Sequence, residues 1–372
     1  MSYFVVFPSR LNSRFVDSLP SGIPGDYSAD DVVMEAAARA CYRSTASIFK
    51  APKFLHKLNG WGHVDVFEHG AVTLMLRSSE PEGEVREFLD LVGKHRYFHC
   101  YTKGDGLYLI VSSVRVWKSI FDKIPPIIAR SIARCSRILP GHESPTEIRC
   151  FDVEPVETKS GARVTLCSLS NIGGTATGNS IVEQAPGSVR ATFYLDGISR
   201  AMSHQIVRHR LFVFSQESQR YVNVFDDDYP LHAYMETEEL ISTANEAFVI
   251  PDFGNEPASK AQTISFCRAL ARLVSTGKYI SSLGARKEDA RFLAPNATRT
   301  RLYMSGNLEA WGHFIRQRTD KAAQWEIREC AWLILEMLSD ALRCTKGAIC
   351  NAEVSQVTGF KQVDFLKEYY IV

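Results

Sequence analysis

The sequence predicts an α+β fold, with a mixed sheet flanked by helices. Three observations predict it. Runs of strand character alternate with segments of helical periodicity along the chain. The 372 residues, 45% hydrophobic and 23% charged, are enough to bury a sizeable core. No linker-like change of composition divides the chain, so its length is compatible with one large domain or two.

The N-terminal part is predicted to hold two helices and a strand. An acidic pair, Asp30 and Asp31, is expected to cap the first helix, VVMEAAARACYRS. A second helix is expected around residues 54–58, and the apolar segment VFEHGAVTLMLRS follows as a strand. This order places His63 and Glu68 near a junction between a loop and a strand.

The middle of the chain, residues 78–187, changes pattern several times. EVREFLDLVGKHRYF is predicted to be a helix, GLYLIVSSVRVW a strand, and IPPIIARSIARC a helix that starts after a proline pair. Residues 171–180 are rich in Gly, Ser, Thr and Asn, which predicts a surface loop.

The C-terminal part starts with a predicted strand, SVRATFYLD, and a helix, ISRAMSHQIVRHR, that ends in R-H-R. A long helix is expected from Pro257 to Tyr279. TRLYMSG is predicted to be a strand, followed by the helices LEAWGHFIRQR and AQWEIRECAWLILEMLSDALR.

Composition excludes several classes of function. Lys and Arg total 43 against 42 Asp and Glu, so a net charge of +1 gives no general attraction for nucleic acid, and anions must bind at local clusters. The 9 cysteines are scattered without a Cys-x-x-Cys pair, which argues against a disulfide framework or a structural metal site and predicts a reducing cytoplasm. No signal-peptide pattern or apolar run of membrane-spanning length is present, so we expect a soluble protein.

The densest polar cluster is Arg208-His209-Arg210, followed after seven residues by Ser218 and then Arg220. Guanidinium groups converging near a hydroxyl suit a monophosphate, because Arg donates two parallel hydrogen bonds to phosphate and stays charged. The alternative is a solvated basic helix end, which the helix dipole also favours.

These segments resemble a known family. ISRAMSHQIVRHRLFVFSQESQRYV resembles the signature of the flavin-dependent thymidylate synthases, the ThyX family, whose hallmark is R-H-R, seven residues, then S. GHVDVFEH resembles an early segment of that family, EDARFLAPNATRTRLYMSGN resembles a later one, and AQWEIR closes the series in the same order. The resemblance covers residues 32–78 and 188–342.

The resemblance implies a ThyX-like fold and a homotetramer in which FAD lies at subunit interfaces beside dUMP. The positions that it assigns to dUMP are Gln205, Gln216, Ser218, Arg220, Arg291 and Arg318. The positions that it assigns to the flavin or its folate face are His63, Glu68, Arg208, His209, Arg210 and Asn307. Arg318 is the candidate for stabilising negative charge on the pyrimidine, and Ser218 for a hydrogen bond to the nucleotide rather than nucleophilic attack.

The implied reaction converts dUMP to dTMP, with 5,10-methylenetetrahydrofolate as carbon donor and NADPH as reductant, and it needs no cysteine nucleophile. Two alternatives remain open. The same substrates could give a hydroxymethylated pyrimidine if water rather than hydride quenches an exocyclic methylene. The chain could also be a non-catalytic protein that binds a nucleotide or nucleic acid, in which R-H-R contacts phosphates.

The resemblance divides the chain into a discontinuous catalytic domain of residues 1–77 and 188–350, an insertion of residues 78–187 and a tail of residues 351–372. The insertion is expected to be an α/β segment that extends or covers the core. In the insertion, LYLIVSSVRVWKSIF aligns with LYMSGNLEAWGHFI, and the earlier segment EHGAVTLML aligns with VRATFYLD, which predicts a partial internal repeat. Arg115 then matches Glu309, where the family keeps an arginine, so Arg115 is predicted to supply the missing cation. The alternative is that short apolar strand-helix units look alike.

Overall fold

A computed structural model shows an α+β protein with two β-sheets. The structure describes residues 3–7, 9–51, 53–103, 106–142, 145, 148–170, 186–223, 225, 229–254 and 257–346. The predicted surface loop at residues 171–180 and the tail at residues 351–372 lie outside the described residues.

Eleven strands are described. They are β1 (Tyr3–Phe7), β2 (Ser9–Asn12), β3 (Ala71–Arg77), β4 (His99–Lys103), β5 (Leu107–Ser113), β6 (Cys150–Phe151), β7 (Val156–Glu157), β8 (Arg163–Ser170), β9 (Arg190–Ser199), β10 (Val213–Gln216) and β11 (Arg299–Asn307). The first sheet is four-stranded in the order β1-β3-β5-β4, and all its pairs are antiparallel. The second sheet has the order β10-β11-β9-β8-β2-β6, with β7 paired to β8. Only its β2 and β6 pair is parallel, so this sheet is mixed.

Twelve α-helices flank the sheets in the described part of the chain. They are α1 (Ser13–Asp17), α2 (Ala29–Cys41), α3 (Phe54–Gly60), α4 (Gly83–Lys94), α5 (Val114–Ser119), α6 (Pro126–Ala133), α7 (Arg200–Ile206), α8 (Thr237–Ala247), α9 (Pro257–Ser282), α10 (Lys287–Ala290), α11 (Leu308–Arg318) and α12 (Trp325–Lys346). Short 3-10 helices occur between them, among them Asp65–Glu68 and Pro186–Ser188.

The fold class predicted from the sequence is confirmed. Strands β4 and β5 of the insertion join the first sheet through β3, and β8 of the insertion joins the second sheet through β9. The inserted segment therefore extends both sheets. The predicted boundaries at residues 77 and 188 remain a prediction.

The boundaries predicted near α2 and α5 were wrong. Helix α2 begins after Ser28, not at an acidic cap: the Ser28 side chain accepts from the Asp31 amide, and the Asp31 carboxylate accepts from the Ser28 amide. This reciprocal capping box uses Asp31 as the third helical residue. The predicted strand GLYLIVSSVRVW ends at Ser113, because the Ser113 hydroxyl accepts from the Val116 amide and starts α5.

Helix α2 lies between the two sheets and is buried almost throughout. Met34 and Ala38 belong to the apolar core beside the first sheet, whereas Val33 and Ala37 belong to a core with Cys167 and Tyr303 of the second sheet. Small side chains let both sheets approach the helix. Helix α2 ends at Cys41. The turn that follows it contacts the segment after β10, where a candidate site lies.

Candidate functional site

The Arg208-His209-Arg210 segment lies just beyond α7. The helix ends at Ile206, and the His209 amide donates to the Ile206 carbonyl at 3.0 Å, so the prediction of a helix ending in R-H-R was wrong. The arginines sit in a turn after the last helical residue. Both are exposed, and no ion pair of either lies among the described residues. Two cations are therefore presented to solvent.

His209 between them is neutral and accepts a hydrogen bond. Its side chain is buried, and Arg318 Nε donates to its Nε2 at 2.9 Å. Burial, and secondarily Arg318 and His313, lowers the pKa of His209 to about 4. Arg318 Nη2 also donates to the Gln205 carbonyl at 3.4 Å. These contacts fix the guanidinium of Arg318 against the R-H-R turn.

A cavity of about 310 Å³ opens at this turn and is lined by the R-H-R residues, Phe212 and the face of α11 that carries Arg318. His313 and Gln317 of α11 also line it. The sequence analysis missed both residues. Their spacing of four on the helix that carries Arg318 was a usable signal, because residues four apart share a helix face.

Ser218 is held by the turn after α2. Its amide donates to the Cys41 carbonyl at 2.9 Å, and Arg43 makes two hydrogen bonds of 3.0 and 3.2 Å to the neighbouring Glu217. Arg43 has a φ of 49°, which is uncommon for a residue with a side chain. The sequence gave no signal for this support, since Arg43 and Glu217 are far apart along the chain.

Arg220 and Arg291 lie around Glu288. The Arg220 Nε is 3.6 Å from a Glu288 carboxylate oxygen, and Arg291 Nε donates to the Glu288 carbonyl at 3.1 Å. Arg200 is a further cation in this region. Burial, and secondarily the charge of Arg291, lowers the pKa of Arg200, so the two arginines lie near each other. The sequence analysis missed Arg200. Nearby, Gln216 Nε2 donates to the Ser203 hydroxyl at 2.9 Å.

A third group surrounds Glu68 at the start of β3. Arg115 forms a salt bridge with the Glu68 carboxylate, and Arg190 Nη2 donates to the Glu68 carbonyl at 3.1 Å. Asn307 is the register partner of Arg190, and its Oδ1 caps α11 by accepting from Ala310 at 2.9 Å. The Asn307 amide hydrogens therefore stay available as donors.

The structure brings the predicted residues together in three groups. Gln205, Arg208, His209, Arg210 and Arg318 share one corner. Gln216, Ser218, Arg220 and Arg291 belong to a second region, and Glu68 and Asn307 to a third. No hydrogen bond or ion pair of the described residues joins the three groups. His63 is exposed, and its backbone amide donates to the Leu58 carbonyl at 3.0 Å.

A buried histidine joins the two sheets near the third group. His69 Nδ1 lies 2.7 Å from the Ser305 hydroxyl and its Nε2 lies 2.9 Å from the Ser215 hydroxyl. Burial, and secondarily Arg190, lowers the pKa of His69 to about 3. The imidazole is neutral and bridges β10 and β11 to the start of β3.

His69 should make the protein less stable in mild acid. Its pKa is about 6.5 when unfolded and about 3 when folded, so between these values the unfolded chain binds more protons and stability falls as pH falls. The loss should reach up to about 1.4 kcal/mol per pH unit. Asp30, whose pKa burial raises to about 7, has the opposite slope. Urea unfolding of wild type and His69→Gln from neutral pH to pH 4 should therefore give a flatter acid limb in the variant, and parallel curves would contradict this.

Among the described residues no group of three His, Cys, Asp or Glu side chains could hold a metal ion. No helix in the described ranges is long and apolar enough to cross a membrane.

Comparisons with known proteins identify the segment that carries the first two groups. Residues 179–342 match the family model of the thymidylate synthase complementing proteins. Over this segment, which is less than half of the chain, the protein is similar to that family. The flavin-dependent thymidylate synthase of Pyrococcus furiosus is 34% identical over 148 residues, which cover 40% of this chain and 54% of the relative. That of Mycobacteroides abscessus is 36% identical over 155 residues, which cover 40% of this chain and 58% of the relative.

The chain thus spans little more than half the length of these relatives. A thymidylate synthase X from Helicobacter pylori, solved with FAD and dUMP, superposes with a TM-score of 0.35 and 20% identity over 45% of this chain and 79% of the other.

Proposed function

We propose that the protein is a flavin-dependent thymidylate synthase that converts dUMP to dTMP with FAD, NADPH and 5,10-methylenetetrahydrofolate. The observation that carries the proposal is the contact between Arg318 and His209, which joins the R-H-R turn to the last cation of the family series. The family match over residues 179–342 and the names of the relatives support it.

The donor set fits an anionic nucleotide. Arg220 and Arg291 are solvent-accessible cations that both contact Glu288, and they would hold the phosphate of dUMP. Glu288 orients both guanidinium groups before the nucleotide arrives. The Arg220 amide already donates to the Ser218 hydroxyl at 3.3 Å, which leaves that hydroxyl hydrogen free for the nucleotide.

Arg318 would stabilise the pyrimidine as negative charge develops on its ring. Uracil C5 becomes nucleophilic once a nucleophile or hydride adds at C6, and a fixed cation lowers the energy of that charged state. His209 and the Gln205 carbonyl hold the guanidinium in place without neutralising it, because His209 is uncharged. These residues would therefore position and polarise the pyrimidine, and none of them would attack it as a nucleophile.

The residues proposed to hold FAD are Arg208, His209, Arg210, His63, Glu68 and Asn307. The R-H-R turn offers two exposed cations without ion pairs among the described residues, which suits the pyrophosphate of FAD. When bound, the flavin supplies the reducing equivalents of the reaction.

No side-chain nucleophile is required. Ser218 has no base among the hydrogen-bond partners in the described part of the chain, and a serine hydroxyl needs one. Cys41 lies beside the Ser218 amide, but burial raises the pKa of its thiol to about 11 and keeps it protonated.

The purified protein tests the proposal directly. It should be yellow with an oxidised-flavin spectrum, and it should form dTMP from dUMP, methylenetetrahydrofolate and NADPH. A product heavier by one oxygen than dTMP would identify a dUMP hydroxymethylase. A colourless, inactive protein that binds dUMP would identify a non-catalytic nucleotide-binding homologue.

Arg220→Ala and Arg291→Ala should each weaken dUMP binding by about ten- to hundredfold, because a charge-assisted hydrogen bond contributes about 1.5–3 kcal/mol. Calorimetric titration with dUMP measures this. Arg272→Ala, an exposed change on α9, is the matched control and should leave the affinity unchanged. Unchanged titrations in both test variants would remove these residues from the site.

Ser218→Ala should retain measurable dTMP formation, because the hydroxyl only orients the nucleotide. Single-turnover assays at saturating dUMP separate orientation from chemistry. Complete loss of turnover with unchanged dUMP affinity would instead support a nucleophilic role for Ser218.

The family resemblance also leads us to propose a homotetramer that works in a reducing cytoplasm. Light scattering of the purified protein at micromolar concentration measures the mass of the assembly.

A further inference from the structure

The two sheets contain the same four-strand arrangement. The order β1-β3-β5-β4 of the first sheet corresponds to β8-β9-β11-β10 of the second, and every neighbouring pair in both is antiparallel. The sequence order corresponds as well, since in each set the chain forms an outer strand, a central strand, the other outer strand and then the other central strand. We call residues 3–139 the first unit and residues 163–342 the second unit.

The central strands of the two units correspond residue by residue. Ala71 pairs with Ser113 in the first unit, and Arg190 pairs with Asn307 in the second. Ser113 and Asn307 are both N-caps of the following helix, and each accepts from the amide three residues on.

In each unit a buried tryptophan joins the helix after the last strand to a central strand by the same hydrogen bond. Trp117 Nε1 donates to the Val72 carbonyl at 3.0 Å, and Trp311 Nε1 donates to the Ala191 carbonyl at 3.2 Å. Each carbonyl belongs to the residue after Ala71 or Arg190, so the contact is equivalent in the two units. Composition alone does not produce a matching register, cap and indole hydrogen bond.

The correspondence extends to the R-H-R turn. Phe98 meets Trp117 edge to face with ring centroids 4.6 Å apart, and Phe212 meets Trp311 in the same way at 4.6 Å. The Phe98 amide donates to the His95 carbonyl at 3.0 Å, as the Phe212 amide donates to the His209 carbonyl at 3.2 Å. Lys94-His95-Arg96 of the first unit therefore stands where Arg208-His209-Arg210 stands in the second.

The units differ in what joins their strands. Strand β4 leads into β5 through a short connection, whereas residues 217–298 separate β10 from β11. That long segment carries Ser218, Arg220 and Arg291. The first unit thus has no counterpart of these nucleotide-binding candidates.

The units also differ where β3 and β9 begin. The Gly70 carbonyl accepts from Val114 as the Val189 carbonyl accepts from Leu308, so Glu68 corresponds to Gly187 and Arg115 to Glu309. In the first unit Glu68 and Arg115 form a salt bridge with both side chains partly exposed.

In the second unit, the space that corresponds to the Glu68 side chain is filled by other side chains. The Tyr101 hydroxyl and the Glu309 carboxylate both lie where a side chain on Gly187 would begin, so the two groups are close to each other. Burial, and secondarily Glu309, raises the pKa of Tyr101 to about 12, so its hydroxyl remains a donor. By register, Ser215 is the counterpart of Tyr101. A serine is much smaller than a tyrosine, and the Glu68 and Arg115 side chains remain partly exposed.

We propose that the chain is a fused pair of like units with one open flavin site, at Glu68 and Arg115, whose counterpart is closed by Tyr101 and Glu309. This inference rests on the proposed function for the identity of the ligand. It assigns the missing family cation to Arg115, and it limits the chain to one FAD.

Flavin content per chain tests the inference. The amount of FAD released from the purified protein should equal one molecule per chain. Arg115→Ala should lower FAD affinity at least about tenfold, as loss of a charge-assisted contact does, and Glu309→Ala should leave it unchanged. Two FAD per chain would overturn the inference, and so would loss of FAD in Glu309→Ala with retention in Arg115→Ala.

The closed site can be tested without flavin. Tyr101→Phe and Glu309→Ala should each lower the Tm, and the double variant should lower it no further than the more damaging single change, because both remove the same polar contact. Additive losses would show that the pair is not coupled and would overturn the closure. A colourless wild-type protein would contradict the proposed function, while this cycle would still report on the inference.

Discussion

Replacing Arg318 with alanine should lower kcat for dTMP formation by about 10²- to 10³-fold, the usual cost of removing one fixed donor from a developing negative charge. The guanidinium is held by His209 and by the Gln205 carbonyl, so it is positioned before substrate binds. Because this preorganisation matters most when charge develops, dUMP affinity should fall less than kcat. Steady-state kinetics and a dUMP titration on the same preparation separate the two effects.

Arg316→Ala is the matched control, since it removes an exposed arginine from the same helix. Arg318→Lys should recover only part of the rate, because an ammonium keeps the charge but not the planar pair of donors. Equal losses in Arg316→Ala and Arg318→Ala would mean that general charge, and not position, is responsible.

Strong local periodicity made the second unit predictable. The sequence placed α11 and α12 correctly because apolar residues recur there at helical spacing, and it placed TRLYMSG in a strand, which is β11. The boundary of α5 was missed since VRVW is rich in β-branched residues. The cap of Ser113 decides the conformation there, and propensity does not reveal it.

The candidate site was only partly accessible from sequence. The R-H-R turn and Arg318 could be found because charged residues with fixed spacing carry a family resemblance. The contact of Arg43 with Glu217, and the meeting of Tyr101 with Glu309, join residues far apart in the chain. Such pairs depend on how the two sheets pack against each other, and no periodicity in one segment encodes that.

The internal repeat was also only partly predictable from the sequence. The alignment of the segments around Trp117 and Trp311 predicts a partial internal repeat. It does not align Lys94-His95-Arg96 with the R-H-R turn. Equivalent backbone contacts, such as those of Phe98 and Phe212, reveal it once the fold is known. Geometry is retained at these positions while side-chain charges have diverged.

Trp311→Ala should destabilise the protein by about 3–5 kcal/mol, the range for truncating a large buried aromatic side chain. Its indole is fully buried and meets Phe193, Phe212 and Phe314 with ring centroids 4.9, 4.6 and 5.8 Å away. Truncation leaves a cavity among these rings and deprives the Ala191 carbonyl of the indole donor. The midpoint of urea unfolding, with an unchanged slope, measures the loss.

The effect should reach the site as well, because Phe212 packs on Trp311 and lies two residues after Arg210 of the R-H-R turn. Trp61→Ala is the control: that side chain is 67% exposed, so its loss should change stability by no more than about 0.5 kcal/mol. Flavin should then be released from Trp311→Ala at denaturant concentrations where Trp61→Ala retains it. If both variants unfolded at the wild-type midpoint, Trp311 would not hold the sheet, α11 and the R-H-R turn together.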